Sequence, residues 1–183
     1  MSQEPIETVW AGKFIEAKRK GRWEFVGRAN DIHAAVIIAI DDGHVLLVEQ
    51  NRVPLGGPCL ELPAGLVGDI DKSETVEASA ARELEEETGY RPERIEVIGE
   101  FASSPGMVSE TFTLVKAHGL TKAGDGGGEA GEGITVHRVP MGEVPAFVER
   151  KRAEGCFIDV KMLLLLAASI LHPSPLRGEG QAA

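Results

Sequence analysis

Apolar residues alternate or run together in a way that divides the chain into short extended segments and a few amphipathic ones. Residues 6–20 and 22–28 read as two strands turning at Lys20-Gly21. Residues 33–40 are continuously apolar after His33, as expected of a strand covered on both faces. They pair with residues 44–50 in a hairpin around Asp41-Asp42-Gly43. A short strand at 59–62 leads into Pro63-Ala64-Gly65. Ser73 is placed to cap a helix running to about Thr88, with Glu74 in its first turn and Gly89 at its end. Val76, Ala80, Ala81 and Leu84 give that helix its packing positions. Further strands are expected at 94–101, 110–118 and 134–139, and helices at 141–154 and 157–171. The first of these begins near 143–145, where Pro145 fits the first turn. Residues 121–133, with Gly126, Gly127 and Gly128, read as a long mobile loop, a kind of segment that is often functional. The fold class is α+β: a mixed sheet with helices packed on it, preceded by a small N-terminal antiparallel β unit. The expected divisions are 1–32 for that unit, 33–172 for the main domain and 173–183 for a disordered tail.

Composition narrows the partners. The 183 residues are 43% hydrophobic, enough for one cored domain. A net charge of −10 argues against nucleic acid or an anionic membrane as the main partner. Residues 162–171 are apolar but too few to span a bilayer. Cys59 and Cys156 show no metal-ligand spacing and read as reduced thiols of a cytoplasmic protein. The five histidines are scattered, and no Ser-His-Asp or Cys-His set is arguable.

The chemistry lies in Arg82-Glu83-Leu84-Glu85-Glu86-Glu87-Thr88-Gly89-Tyr90. On a helix, residues three and four apart share a face, so Glu83, Glu86 and Glu87 project together. That is an all-oxygen, negative ligand set suited to Mg²⁺ or Mn²⁺. Arg82 is the countercharge that would hold the carboxylates apart. A solvated acidic face would explain the charge but not the register of Arg82 and Gly89.

With Glu74 and an upstream glycine, the run resembles the signature of the Nudix hydrolases. The resemblance implies a Nudix-type α/β/α sandwich, with the Ala64 carbonyl completing the metal shell. Gly68 restores the strict spacing to Glu74, whereas Gly65 belongs to the intact unit Glu61-Leu62-Pro63-Ala64-Gly65 and implies a three-residue insertion, the alternative we favour. Four stretches outside the signature resemble ADP-ribose pyrophosphatases: that unit, Glu49-Gln50-Asn51-Arg52, Ser104-Pro105-Gly106 with Glu110, and Arg22-Trp23-Glu24-Phe25-Val26-Gly27-Arg28. By this resemblance Arg52 approaches the diphosphate, Glu110 contacts a ribose or supports the site, Trp23 stacks on adenine and Arg28 reaches the ligand. A loop glutamate, Glu132 first and Glu129 second, would be the base, with Glu86 also in the catalytic set. The family further implies a homodimer with exchanged N-terminal sheets, in which Trp23 and Arg28 serve the partner's site. The expected reaction is hydrolysis of ADP-ribose to AMP and ribose 5-phosphate. Another nucleoside diphosphate sugar such as GDP-mannose is the rival substrate, and a non-catalytic Nudix-fold sensor is the rival from another class.

Overall fold

The computed structural model describes residues 4–29, 32–68, 72–129 and 131–166. Three strands, β1 (Glu7–Ala11), β2 (Ile15–Lys20) and β3 (Trp23–Arg28), form an antiparallel sheet in that order. The expected single strand over 6–20 is therefore two. The chain turns back at Gly12, whose N–H donates to the Ile15 carbonyl at 2.9 Å. A side chain at Gly12 would meet the Trp10 ring, 2.4 Å from an added Cβ. The turn at Gly21 (φ +57°) is where the sequence puts it.

The main sheet is built on the hairpin of β4 (His33–Asp41) and β5 (His44–Arg52). Asp42 (φ 45°) and Gly43 (φ 69°) are both left-handed, the backbone that a two-residue hairpin turn requires. The two strands pair only at Ile40–Val45 and Asp41–His44, and then diverge. β5 continues against β6 (Gly57–Glu61), while β4 continues against β7 (Ala64–Val67). Helix α1 (Val76–Thr88) follows, and β8 (Tyr90–Arg91) leaves it. β9 (Arg94–Ala102) is antiparallel to β10 (Thr111–His118), which runs parallel to β4. β11 (Thr121–Lys122) pairs with β8, and β12 (Thr135–Pro140) with β5. After helix α2 (Val144–Ala153), β13 (Phe157–Ile158) adds to β6 in parallel.

β4 explains why its sequence is apolar throughout. Ala35, Ile37 and Ala39 pack under Ala80 and Leu84 of α1, and Val36 and Ile38 pack on the other face with Val144, Met162 and Leu165. Leu84 is fully buried, contributing about 1.5–3 kcal/mol toward holding α1 on the sheet.

Three further expectations change. Thr75, not Ser73, caps α1: its Oγ1 accepts from the Ala78 N–H at 3.2 Å, so Glu74 precedes the helix instead of lying in its first turn. The helix expected at 157–171 is instead β13 followed by a 3-10 segment, Val160–Leu166. Asp159 diverts the chain there, because its N–H bonds the Leu60 carbonyl while its carboxylate accepts from the Lys161 N–H. The rest of that expected helix, and the tail at 173–183, lie outside the described residues. Third, residues 122–128 of the expected mobile loop are docked on the end of α1. The N-terminal sheet also docks on its own chain: Val26 N–H donates to the Met107 carbonyl, and Ser109 N–H donates to the Val26 carbonyl, both at 2.9 Å.

Candidate active site

The place where β4 and β5 part company is a cavity of about 410 Å³. Ala34 and Val36 from the start of β4, Gln50 and Arg52 from the end of β5, and Glu61, Ala64, Gly65 and Leu66 around β6 and β7 form its floor. Glu83 and Glu87 enter from α1, Arg28 from β3, Ser103, Glu110 and Phe112 from the β9–β10 side, and Glu132 and Lys161 from later segments.

Glu83 and Glu87 reach the cavity because they lie one helical turn apart, on the face of α1 turned to β7. Gly65 makes the approach possible: a Cβ there would lie 2.0 Å from Glu83 Cγ. Gly68 is needed for another reason, its left-handed backbone (φ +81°). Each candidate glycine thus has its own physical requirement, and it is Gly65 that touches the carboxylate helix.

Glu87 is buried, and its Oε2 accepts from the Ala64 N–H at 3.1 Å. Burial pushes its pKa up to about 8; the Ala64 hydrogen bond and Arg52 oppose the rise, and neighbouring Glu83 and Glu132 add to it. Arg82 Nη1 donates to Glu83 Oε1 at 2.9 Å and to Glu86 Oε2 at 3.2 Å, and its other nitrogens lie 3.4 Å from Glu74. Partial burial works against the Arg82 charge, yet these carboxylates outweigh it and hold its pKa above the ordinary value. Glu74 also accepts from Ser79 Oγ at 2.7 Å, which fixes it as the anchor of Arg82. Gly89 ends the helix in the left-handed conformation, with its N–H on the Glu85 carbonyl at 2.8 Å.

The donors fit a hard divalent cation in kind: carboxylate oxygens crowded at one cavity wall, with burial and like charge opposing full ionisation of Glu87. Among the described residues no three candidate ligands surround one point closely enough to hold an ion as the side chains stand. Glu83 and Glu86 are turned toward Arg82, and Glu86 is the most exposed of the three.

The cationic wall is paired throughout. Arg52 donates from Nε and Nη2 to buried Glu61 at 2.6 and 2.8 Å, two of the five donors of a guanidinium. Arg28 Nε donates to Glu110 Oε1 at 2.5 Å, so these two expected ligand residues brace each other within one chain. Lys161 is bound to Asp159 and lies 6.0 Å from the centre of the Phe112 ring.

Of the expected site residues, the cavity collects Arg28, Arg52, Ala64, Gly65, Glu83, Glu87, Glu110 and Glu132. Glu86 does not line it. Trp23 is 59% exposed on the N-terminal sheet and is also absent from this wall. Glu129 is exposed, and its N–H donates to Glu132 Oε2 at 2.9 Å, so it supports Glu132. Sequence reasoning placed Glu61 in a family-like stretch but gave it no role, although its carboxylate is buried beside Arg52, and it missed Lys161. The signal for Lys161 was a lone basic residue at the head of an apolar run.

A NUDIX domain family model matches residues 31–154. Similar proteins include a methanol dehydrogenase activator of Bacillus methanolicus, 36% identical over 119 residues (64% of this chain, 63% of that one). An ADP-ribose pyrophosphatase of Bacillus subtilis is 39% identical over 87 residues (48% and 45%). A GDP-mannose pyrophosphatase of Yersinia pestis is 33% identical over 141 residues (73% and 67%). The chain thus spans less than two thirds of the length of the first two of these relatives. A solved ADP compounds hydrolase shares the fold, with a TM-score of 0.67 and 21% identity over 91% of this chain and 92% of that one.

Proposed function

This chain belongs to the NUDIX domain family, and on that premise we propose that it hydrolyses the diphosphate of ADP-ribose to AMP and ribose 5-phosphate with the help of a divalent cation. The observation that carries the reading is one cavity in which helix carboxylates Glu83 and Glu87 meet the loop carboxylate Glu132 and the cations Arg28, Arg52 and Lys161. Carboxylates in that number suit a cation and a base, and the cations suit phosphate.

Glu83, Glu86, Glu87 and the Ala64 carbonyl would hold Mg²⁺ or Mn²⁺, which neutralises phosphate charge and acidifies a bound water. Arg52 presents its remaining donors to the diphosphate, for which a planar guanidinium is suited. Arg28 and Glu110 orient the ligand from the β3 side. Glu132 takes the proton of the attacking water; the water oxygen bonds to phosphorus as the bridging P–O bond breaks, and the second phosphate leaves as an anion. Arg82 keeps Glu83 and Glu86 oriented without touching substrate.

We also propose a homodimer. Its support is the apolar surface of the N-terminal sheet, where Val9, Trp10, Phe14 and Trp23 are each more than half exposed. Trp23, outside its own chain's cavity, would then stack on a base in the partner's. No described helix is long and apolar enough to cross a membrane. Two unpaired buried cysteines suit the reducing cytoplasm.

The rival substrate is a GDP-sugar, favoured by the larger share of the chain that aligns with the GDP-mannose pyrophosphatase. Comparing kcat/KM for ADP-ribose, GDP-mannose, NADH and a nucleoside triphosphate decides it. The proposal expects ADP-ribose to lead, and a faster GDP-mannose reaction overturns the choice of base and sugar. Binding of ADP-ribose without turnover would favour the sensor.

A further inference from the structure

The run Ala123-Gly124-Asp125-Gly126-Gly127-Gly128 reads from sequence as part of a mobile loop, but it is docked on the C-terminal end of α1. The last carbonyls of a helix have no partner within it and must find one elsewhere. Here Glu86 O accepts from Gly128 N–H at 3.0 Å and Glu87 O from Gly127 N–H at 2.8 Å. Thr88 O accepts from Lys122 Nζ at 3.1 Å, and Gly89 O from the N–H groups of Ala123 and Gly124 at 2.8 and 3.0 Å. The first two of these carbonyls belong to residues of the proposed metal set.

The fit leaves no room for side chains. A Cβ at Gly126 would lie 2.4 Å from Thr88 C, 2.7 Å from Glu87 O and 2.7 Å from Gly89 N, all main-chain atoms that cannot swing away. Gly126, Gly127 and Gly128 all have positive φ (72°, 107° and 72°). A Cβ at Gly128 would lie 2.2 Å from Glu132 Oε2 and 2.8 Å from Ile134 Cδ1. Beyond the turn, Ile134 N–H returns to the Gly127 carbonyl at 3.3 Å and the Ile134 side chain is buried. Glu132 is therefore held at the cavity from both sides, by the turn on the helix end and by Ile134 in the core. Without such ties, its charge beside Glu83 and Glu87 would favour a more distant position.

We propose that the turn at 124–128 is a clamp that fixes Glu132 relative to the carboxylates of α1, with Gly126 and Gly128 as positioning residues for the reaction. Gly126 seats the turn on the helix, and Gly128 leaves space for the Glu132 carboxylate. The inference rests on the hydrolase reading above for its kinetic consequence, but the docking itself does not.

The test uses the full chain with Gly126→Ala, Gly128→Ala and Gly155→Ala. Gly155 is also left-handed (φ +86°) but has nothing within 4 Å of an added Cβ, so it imposes comparable backbone strain away from the site. Gly126→Ala and Gly128→Ala should lower kcat for ADP-ribose by about 100-fold, the scale of a 1 Å misplacement, with little change in KM. Gly155→Ala should keep the parental kcat. Because the glycines act through Glu132, either glycine variant combined with Glu132→Gln should be no slower than Glu132→Gln alone. Independent, multiplying losses, or a change in KM alone, would overturn the proposal. Amide exchange supplies a readout without turnover. Gly127 and Gly128 amides should be protected in the parent and lose protection in Gly126→Ala while Ala80 to Leu84 stay protected; unprotected amides in the parent would overturn the clamp. Gly128→Ala meets only side-chain atoms, and so keeps the test available if Gly126→Ala does not fold. If the parent cuts no diphosphate, the hydrolase reading fails and exchange alone decides the clamp.

Discussion

A methyl group at Gly65 would stand 2.0 Å from Glu83 Cγ, 2.2 Å from Cδ and 2.6 Å from Oε1. Carbon–carbon contacts normally lie at about 3.5–4.0 Å, so one partner must retreat by about 1.5 Å. β7 is held by its pairing with β4 at Gly65–Ala35, and α1 by Ala80 and Leu84 in the core, which leaves the Glu83 side chain as the softer element. Overpacking of this kind costs about 1–3 kcal/mol. In a protein of this size that lowers Tm by about 2–12 °C. The functional effect should be larger in relative terms: a carboxylate displaced by more than 1 Å from its working position lowers kcat about 100-fold or more. Gly65→Ala should be assayed by AMP release from ADP-ribose with Mg²⁺, beside a thermal melt monitored by circular dichroism. Parental activity with an unchanged Tm would refute the argument that Gly65 exists to admit Glu83.

Other perturbations follow from the same site. In chelator, the raised Glu87 pKa predicts stability that is fully present below about pH 4.5 and is lost as pH rises through about 8, on the order of 5 kcal/mol. Glu87→Gln should flatten that part of the pH–stability profile while abolishing turnover, and an unchanged profile would count against the buried carboxylate. Arg82→Ala removes the shared partner of Glu74, Glu83 and Glu86; Tm should fall, and part of the loss should return with added salt, which screens carboxylate repulsion. Arg28→Ala leaves Glu110 without its cation in the cavity and should raise KM about tenfold with little change in kcat, as expected for about 1.4 kcal/mol of lost binding. A change in kcat alone would refute that role.

The parts of this fold that could be read from the sequence are those set by local pattern. The unbroken apolar stretch of β4 announces burial on both faces, and Ala80 with Leu84 announces the buried stripe of α1. Asp42-Gly43 supplies the positive φ angles of its hairpin. The Glu83 and Glu87 pair was legible for the same reason, since helical spacing alone puts both on one face. What escaped depends on partners distant in the chain. Ser73 and Thr75 are equally able to cap a helix, and the choice falls on Thr75, with Glu74 ahead of the helix and engaged by Ser79 and Arg82. Phe157 and Ile158 lie in an apolar stretch that suits a helix, but the open edge of β6 takes them as a strand. The glycine-rich turn reads as loose because nothing local reveals that its N–H groups meet the end of α1. Glu61 and Lys161 reach the cavity only through the packing of β6 and the 3-10 segment.

The reaction proposed for this cavity turns on the α1 carboxylates and the divalent cation they would hold. The most direct measurement is the rate of AMP release from ADP-ribose across a Mg²⁺ titration, for the parent and for Glu83→Gln. Turnover should require the cation in the parent and be lost in the variant at every Mg²⁺ concentration, with the fold retained. Equal turnover in the two proteins, or turnover in chelator, would contradict that dependence.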